Sequence, residues 1–125
     1  MKIRDILKVR ESVKHLAQVR LPNAIDNYHV FKLYKQVEDE AHNYNVQKDK
    51  VVIEYGERQP NGSVSISAEN PNYMTAIKLI SELENIDIEL QLNKTTIKPA
   101  ELNLSAKDIY NLVEFGILEI ADQEI

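Results

Sequence analysis

Cysteine is absent from the 125 residues. That excludes a disulfide framework, a thiolate zinc site and a cysteine nucleophile, and it fits an intracellular compartment. Glycine is scarce: Gly56, Gly62 and Gly116 stand far apart, so no glycine-rich phosphate loop can be assembled. No serine occupies a G-x-S-x-G elbow. No apolar run approaches the roughly 18 residues that a membrane-spanning helix requires. The opening stretch, MKIRDILKVRESVKHL, carries charges throughout and has no signal-peptide core. These absences predict a soluble, cytoplasmic protein with no membrane partner.

What is present is charge, unevenly placed. Residues 1–20 hold six bases (Lys2, Arg4, Lys8, Arg10, Lys14, Arg20) against Asp5 and Glu11, a net of +4, which leaves −9 for the rest of a chain whose total is −5. After Lys107 there is no base, while Asp108, Glu114, Glu119, Asp122 and Glu124 follow. A basic arm on an acidic body suggests electrostatic choice of partner or head-to-tail contact. Nucleic acid is a poor fit as that partner. The N-terminal bases lie all around their helix, no aromatics are interleaved with them, and the whole chain is acidic.

Periodicity gives the architecture. From about Arg4 to Val19, the residues Ile6, Val9, Val13, Leu16 and Ala17 fall on one helical stripe. Pro22 breaks it, and the short turn predicts that the next helix folds back antiparallel. That second helix runs from about Ala24 to Tyr55 without glycine or proline. Val30, Leu33, Val37, Ala41, Tyr44, Lys48, Val51 and Tyr55 follow heptad-like steps with one polar breach, at Lys48. A helix of about 30 residues is about 45 Å long, roughly 20 Å more than the first helix can cover. Its far half therefore needs another partner, either the C-terminal part of the chain or a second copy. Tyr44, Val51, Val52 and Tyr55 are the candidate interface residues.

Gly56 is a natural end for the long helix. Residues 57–63 read as a loop turning at Asn61-Gly62, and SVSIS (63–67) as a short strand. A short helix starts near Asn72, with Tyr73, Ala76, Ile77, Ile80 and Leu83 on one face and Leu79 beside it. IDIELQL (86–92) alternates strictly and predicts a half-buried strand. TTIKPAELNL is read as irregular because of Pro99. SAKD (105–108) resembles a capping box with Asp in place of Glu. It opens a last helix with Ile109, Leu112, Val113 and Phe115, ending at Gly116, and ILEI can add a closing strand. The predicted fold is α+β in the order α-α-β-α-β-α. An N-terminal antiparallel helical hairpin with a long second helix packs on a small two- or three-stranded sheet with two short helices. We read 1–125 as one domain, with 1–56 the hairpin and 57–125 a small α/β part.

Candidate chemistry is thin. VEDEAH (37–42) places Asp39 three before His42, the step used by di-metal carboxylate bundles. His42 projects roughly 145° from the apolar stripe, and Asp39 is similarly outward, whereas bundle ligands aim inward. Asp26 and His29 form a second such step about 20 Å away along the same helix. In a hairpin turning at Pro22, Glu11, His15, Asp26 and His29 can meet, and two imidazoles with two carboxylates would suit zinc or iron. Since His15 points away from its own stripe and His29 sits at a stripe edge, these fit solvated histidines better. The Ser/His/Asp combinations have no local signature. The acids Glu82, Glu84, Asp87 and Glu89 are spaced as solvated faces rather than as a glycosidase pair. We therefore expect no enzyme, metal, cofactor or small-molecule substrate.

The order of motifs resembles a known family. MKIRDI opens the first helix, and the long charged helix ends in VVIEYGERQPNGSVSI. YMTAIKLISELENIDIEL then leads into Asp87-Ile88-Glu89-Leu90, and AKDIYNLVEFGILEI closes the chain. This layout resembles a family of small uncharacterised proteins from tailed phages and prophages of Gram-positive bacteria. The sequence departs from it at LPNAIDNYHVF, where the family pattern is more basic. Such proteins are encoded beside tail and other late structural genes, and the family supplies no active residues. The resemblance implies a non-enzymatic virion structural or head/tail assembly protein acting through protein–protein contacts, with itself as one possible partner. It would lie in the host cytoplasm or the virion. The alternative is an inhibitor of a host protein that uses Asp108 through Glu124 as an acidic, nucleic-acid-like surface.

Overall fold

The computed structural model describes residues 1–90, 92, 95–97 and 103–120. Helix α1 spans Ile3–Gln18 and α2 spans Ala24–Tyr55. Strands β1 (Glu57–Arg58) and β2 (Val64–Ser65) form an antiparallel hairpin. Helix α3 covers Tyr73–Glu84, strand β3 Thr95–Ile97, helix α4 Ala106–Glu114 and strand β4 Leu118–Ile120. The fold is α+β and mostly helical, with the long-armed helical hairpin at its N-terminal end, in the predicted order.

The hairpin between α1 and α2 is fixed by two asparagines. Asn23 caps α2 by accepting from the Ile25 amide at 2.8 Å. Asn27, one turn into α2, reaches back to the buried Leu21. Its Oδ1 accepts from the Leu21 amide at 2.9 Å, and its Nδ2 donates to the Leu21 carbonyl at 2.7 Å. Both orphan backbone groups of the turn are satisfied by one side chain, so Leu21 can enter the core.

The core gathers at the near half of α2. Ile6, Val9, Val13 and Leu16 of α1 are fully buried, and they pack with Leu21, Val30, Leu33, Val37, Leu112, Ile117 and Leu118. Each such side chain contributes roughly 1.5–3 kcal/mol. The far half of α2 is covered within the chain, by α3 and the β1–β2 hairpin. Ala41 and Tyr44 meet that side of the molecule, where Ala76 of α3 is buried. Lys48, the breach in the heptad run, lays its ammonium over the Tyr44 ring at 5.9 Å from the centroid.

Three local predictions need correction. Residues 57–63, read wholly as loop, begin with β1, because Glu57 and Arg58 pair with Ser65 and Val64 across the Asn61-Gly62 turn. IDIELQL does not form a regular strand in its described residues. Ile88 and Leu90 are half-buried and Asp87 and Glu89 exposed, as alternation requires, but Ile86 and Leu92 are also exposed. Its backbone partner is the start of the chain: Ile3 N donates to Ile86 O at 3.0 Å, Ile88 N to Met1 O at 2.8 Å and Met1 N to Ile88 O at 3.1 Å. Only the bridge Lys2–Asp87 results, because α1 begins at Ile3 and turns the partner away. Conversely, the stretch read as irregular contains β3. Its β-branched Thr95–Ile97 pairs parallel with β4, in register Thr95–Leu118 to Ile97–Ile120, with α4 as the crossover. Residues 98–102, including Pro99, lie outside the described residues.

Gly56 caps α2 with an extended backbone rather than a left-handed one (φ −90°). What demands glycine there is a close approach. A Cβ would run into the carbonyl oxygens of Val52 and Ser65, where the hairpin returns against the helix end. The Gly56→Ala variant is expected to lose about 1–3 kcal/mol through that clash, read as a lower urea midpoint. Gly62→Ala, which has open space but a left-handed backbone (φ +88°), should also lose stability, through backbone strain instead.

Candidate functional site

The densest polar cluster lies between α1 and α4, and its hub was not singled out by sequence pattern. Ser105 caps α4 by accepting from the Asp108 amide at 3.1 Å, which is half of the predicted capping box. The other half is missing, because Asp108 turns its carboxylate across to α1. There Ser12 and His15 stand three residues apart, stacked on one side of the helix. Ser12 Oγ donates to Asp108 Oδ1 at 2.9 Å, and His15 Nδ1 meets Asp108 Oδ2 at 2.8 Å. Asn111, three residues beyond Asp108, donates to Ser12 Oγ at 3.3 Å. An ionised carboxylate only accepts, so Nδ1 of His15 carries the proton. Nε2 faces Glu11 Oε1 at 3.4 Å.

This cluster is a clamp by geometry. Burial alone would push the Asp108 carboxyl up, but hydrogen bonds from His15, Ser12 and Ser105 outweigh it and hold the pKa below the ordinary 3.8. Serine, histidine and aspartate are together, yet in the wrong order for nucleophilic catalysis. Ser12 bonds to the aspartate instead of the histidine, and it is 2% exposed. Beside the cluster opens a groove of about 510 Å³ lined by His15, Gln18, Val19, Arg20, Asn103 and Leu104. Among its described lining residues the imidazole and the carboxylate are those of His15 and Asp108.

The quartet Glu11, His15, Asp26 and His29 is not assembled. Glu11 and His15 are neighbours, but His15 is engaged by Asp108, and His29 sits edge-on to Tyr28 with centroids 5.8 Å apart. Among the described residues no group of three His, Asp or Glu side chains is placed to hold a metal ion. Asp39 and His42 are exposed. The acidic surface proposed for host inhibition loses its first member, because Asp108 is 7% exposed and bonded inward. Glu114 and Glu119 are exposed, and Asp122 and Glu124 lie outside the described residues.

The candidate interface residues divide. Tyr44 is buried and donates its hydroxyl to Glu84 Oε1 of α3 at 2.8 Å. Burial, then that hydrogen bond, pushes its pKa up to about 12. It is used inside the chain. Val51, Val52 and Tyr55 are half-buried. Val51 lines a groove of about 340 Å³ with Leu79, Leu83 and Ile86.

The unpartnered face of α2 is the opposite one. Ile25, Tyr28 and Phe31 are 65%, 60% and 57% exposed, and Val46 and Ile53 continue the face at 38% and 64%. Lys35 lies over the Phe31 ring at 6.0 Å. α1 is locked away from this face by the Arg10–Glu38 pair, Nε to Oε1 at 3.0 Å and Nη2 to Oε2 at 2.8 Å. That bond, more than any other interaction, lowers the Glu38 pKa. Sequence reading found one stripe on α2 and missed the second, although the same 3–4 spacing carries both.

Among the described residues no helix is long and apolar enough to cross a membrane. No protein-family model, curated protein or solved structure matches the chain.

Two outcomes follow from the clamp and the far half of α2. Because the folded Asp108 pKa is depressed, its contribution is present above the ordinary carboxylate range and is lost as pH falls through the folded value. Asp108→Asn should therefore cost about 1–3 kcal/mol at neutral pH. The gap to the parent chain should close as unfolding is followed from pH 5 downward. Replacing Val51 and Val52 together by Glu should lower the thermal midpoint, read by circular dichroism, because both valines are partly buried against their own chain.

Proposed function

We propose that the chain is a non-enzymatic phage or prophage protein that works through protein–protein contacts, as a structural or assembly component of the virion. One observation carries the contact reading. Three large apolar side chains, Ile25, Tyr28 and Phe31, stand in a row on solvent at the N-terminal half of α2. Scattered exposed apolar residues need no explanation, but a contiguous row with two aromatics has the make-up of a partner surface. Lys32 and Lys35 border the row. The phage setting rests on the resemblance of the motif order, and the family's place among late structural genes fits a contact role. Beside the groove at His15, Ser12 is buried and Asp108 accepts hydrogen bonds from Ser12 and His15, which favours a structural role for this cluster. The host-inhibitor alternative keeps only Glu114 and Glu119 of its described acidic surface as exposed groups.

Mass spectrometry of purified virions from the phage or induced prophage that carries this gene tests the reading. Many copies per particle are expected of a structural subunit, and a Tyr28→Ser/Phe31→Ser chain, soluble and folded, should be depleted from the particle or from co-purifying assembly intermediates. Absence of the parent chain from both virions and assembly intermediates would overturn it.

A further inference from the structure

We propose that the outward face of α2 pairs antiparallel with the same face of a second copy of this chain. This rests on the contact reading above and specifies the partner. The residues are Ile25, Tyr28, Lys32, Lys35, Asp39, His42, Val46, Asp49 and Ile53. Their steps alternate 3 and 4 over the whole helix, and every one is exposed. They lie opposite the buried set Val30, Leu33, Val37, Ala41 and Tyr44. Ile25 and Tyr28 at one end and Val46 and Ile53 at the other are the large apolar members of this face, with Lys32, Lys35, Asp39 and His42 between them and Asp49 beside Ile53, so the face can be matched to a partner helix by charge as much as by apolar area. It runs for about 42 Å from Ile25 to Ile53.

Charge along the seam sets the direction. Lys32 and Lys35 lie in the N-terminal half, Asp39 at the middle and Asp49 in the C-terminal half. Parallel pairing would put Lys32 against Lys32 and Asp49 against Asp49, which is unfavourable. Antiparallel pairing about an axis between Glu40 and Ala41 puts Lys32 against Asp49 of the second copy, and Asp39 against its His42, each contact made twice. The same register sets Tyr28 against Ile53 of the second copy and the Lys35 stem against its Val46. It also brings Phe31 beside Lys50 of the second copy. A slip of one heptad would replace the two Lys32–Asp49 contacts by two between Lys35 and Asp39 and set Ile25 against Asp49. Next to Ile53 is a groove of about 270 Å³ lined by Asp49, Val52, Gly62 and Val64, a seat for the incoming Tyr28. The arrangement is isologous, so it closes as a dimer.

The absence of cysteine from the chain makes disulfide trapping clean. Full-length Lys32→Cys and Asp49→Cys proteins are mixed under mild oxidation. A cross-linked dimer of mixed composition is expected, and neither protein alone should cross-link, because like positions lie about 25 Å apart along the pair. Analytical ultracentrifugation of the parent chain should give a dimer. Lys32→Asp should weaken it about tenfold, and Lys32→Asp/Asp49→Lys should restore it. Cross-linking of Lys32→Cys with itself would overturn the direction, and a monomer at all concentrations would overturn the pairing. A dimer without the mixed disulfide would place the contact on another face. If the chain is a monomer and yet the Tyr28/Phe31 variant is lost from virions, the pairing falls while the contact reading stands.

Discussion

A helix of 32 residues, about 48 Å long, has more apolar stripe than one neighbour of ordinary length can cover. The rest of this molecule is arranged around that constraint. α1 covers the near half, with α4 and β4 closing over it, and α3 and the β1–β2 hairpin take the far half. The two coverings join the same helix on one side and leave the other side bare. Its core side is therefore divided between two sets of partners, while its solvent side runs unbroken from end to end.

The polar contacts serve this arrangement at its joints. Asp108 holds α4 to α1 through Ser12 and His15, Arg10 holds α1 to α2 through Glu38, and Tyr44 holds α2 to α3 through Glu84. Each joint adds direction to an otherwise non-directional apolar contact. The Asp108 joint is the most buried and the most fully hydrogen-bonded, so it fixes the rotation of α4 most tightly. Arg10–Glu38 lies nearer water, where an ion pair contributes little to stability and more to register.

The helices were legible because their signals are local. The Pro22 break, the unbroken run from Ala24 to Tyr55, the Ser105 cap and the Gly116 stop each act within one turn. The strands were less legible because pairing depends on what lies opposite. Asp87 to Leu90 alternates well but finds only the first residues of the chain, which then wind into α1. Thr95–Ile97 looked broken by Pro99, yet three β-branched residues in a row carry a strand propensity that pairing with β4 realises. Asp108 was legible as a helix start and illegible as a hub, since its partners are more than ninety positions away. One clue was available: Ser12 falls among Val9, Val13 and Leu16, and a hydroxyl inside an apolar stripe requires a partner. The second stripe of α2 was hidden for a different reason. Bases and acids occupy its middle, so the spacing shows only when charged positions are counted with the apolar ones.

The placement of Leu112, Ile117 and Leu118 against α1 and the near half of α2 has a temporal side. These three residues are separated from their partners by most of the chain, whereas α2, the β1–β2 hairpin and α3 follow one another directly. During synthesis the far half of α2 can be covered early by its successors. The apolar face between α1 and α2 stays incompletely sheltered until α4 and β4 emerge. Long-range contacts of this kind form late and slow the final step. The nascent chain is thus most exposed to mispairing until α4 and β4 have emerged, and those two elements act as the lid that ends the interval.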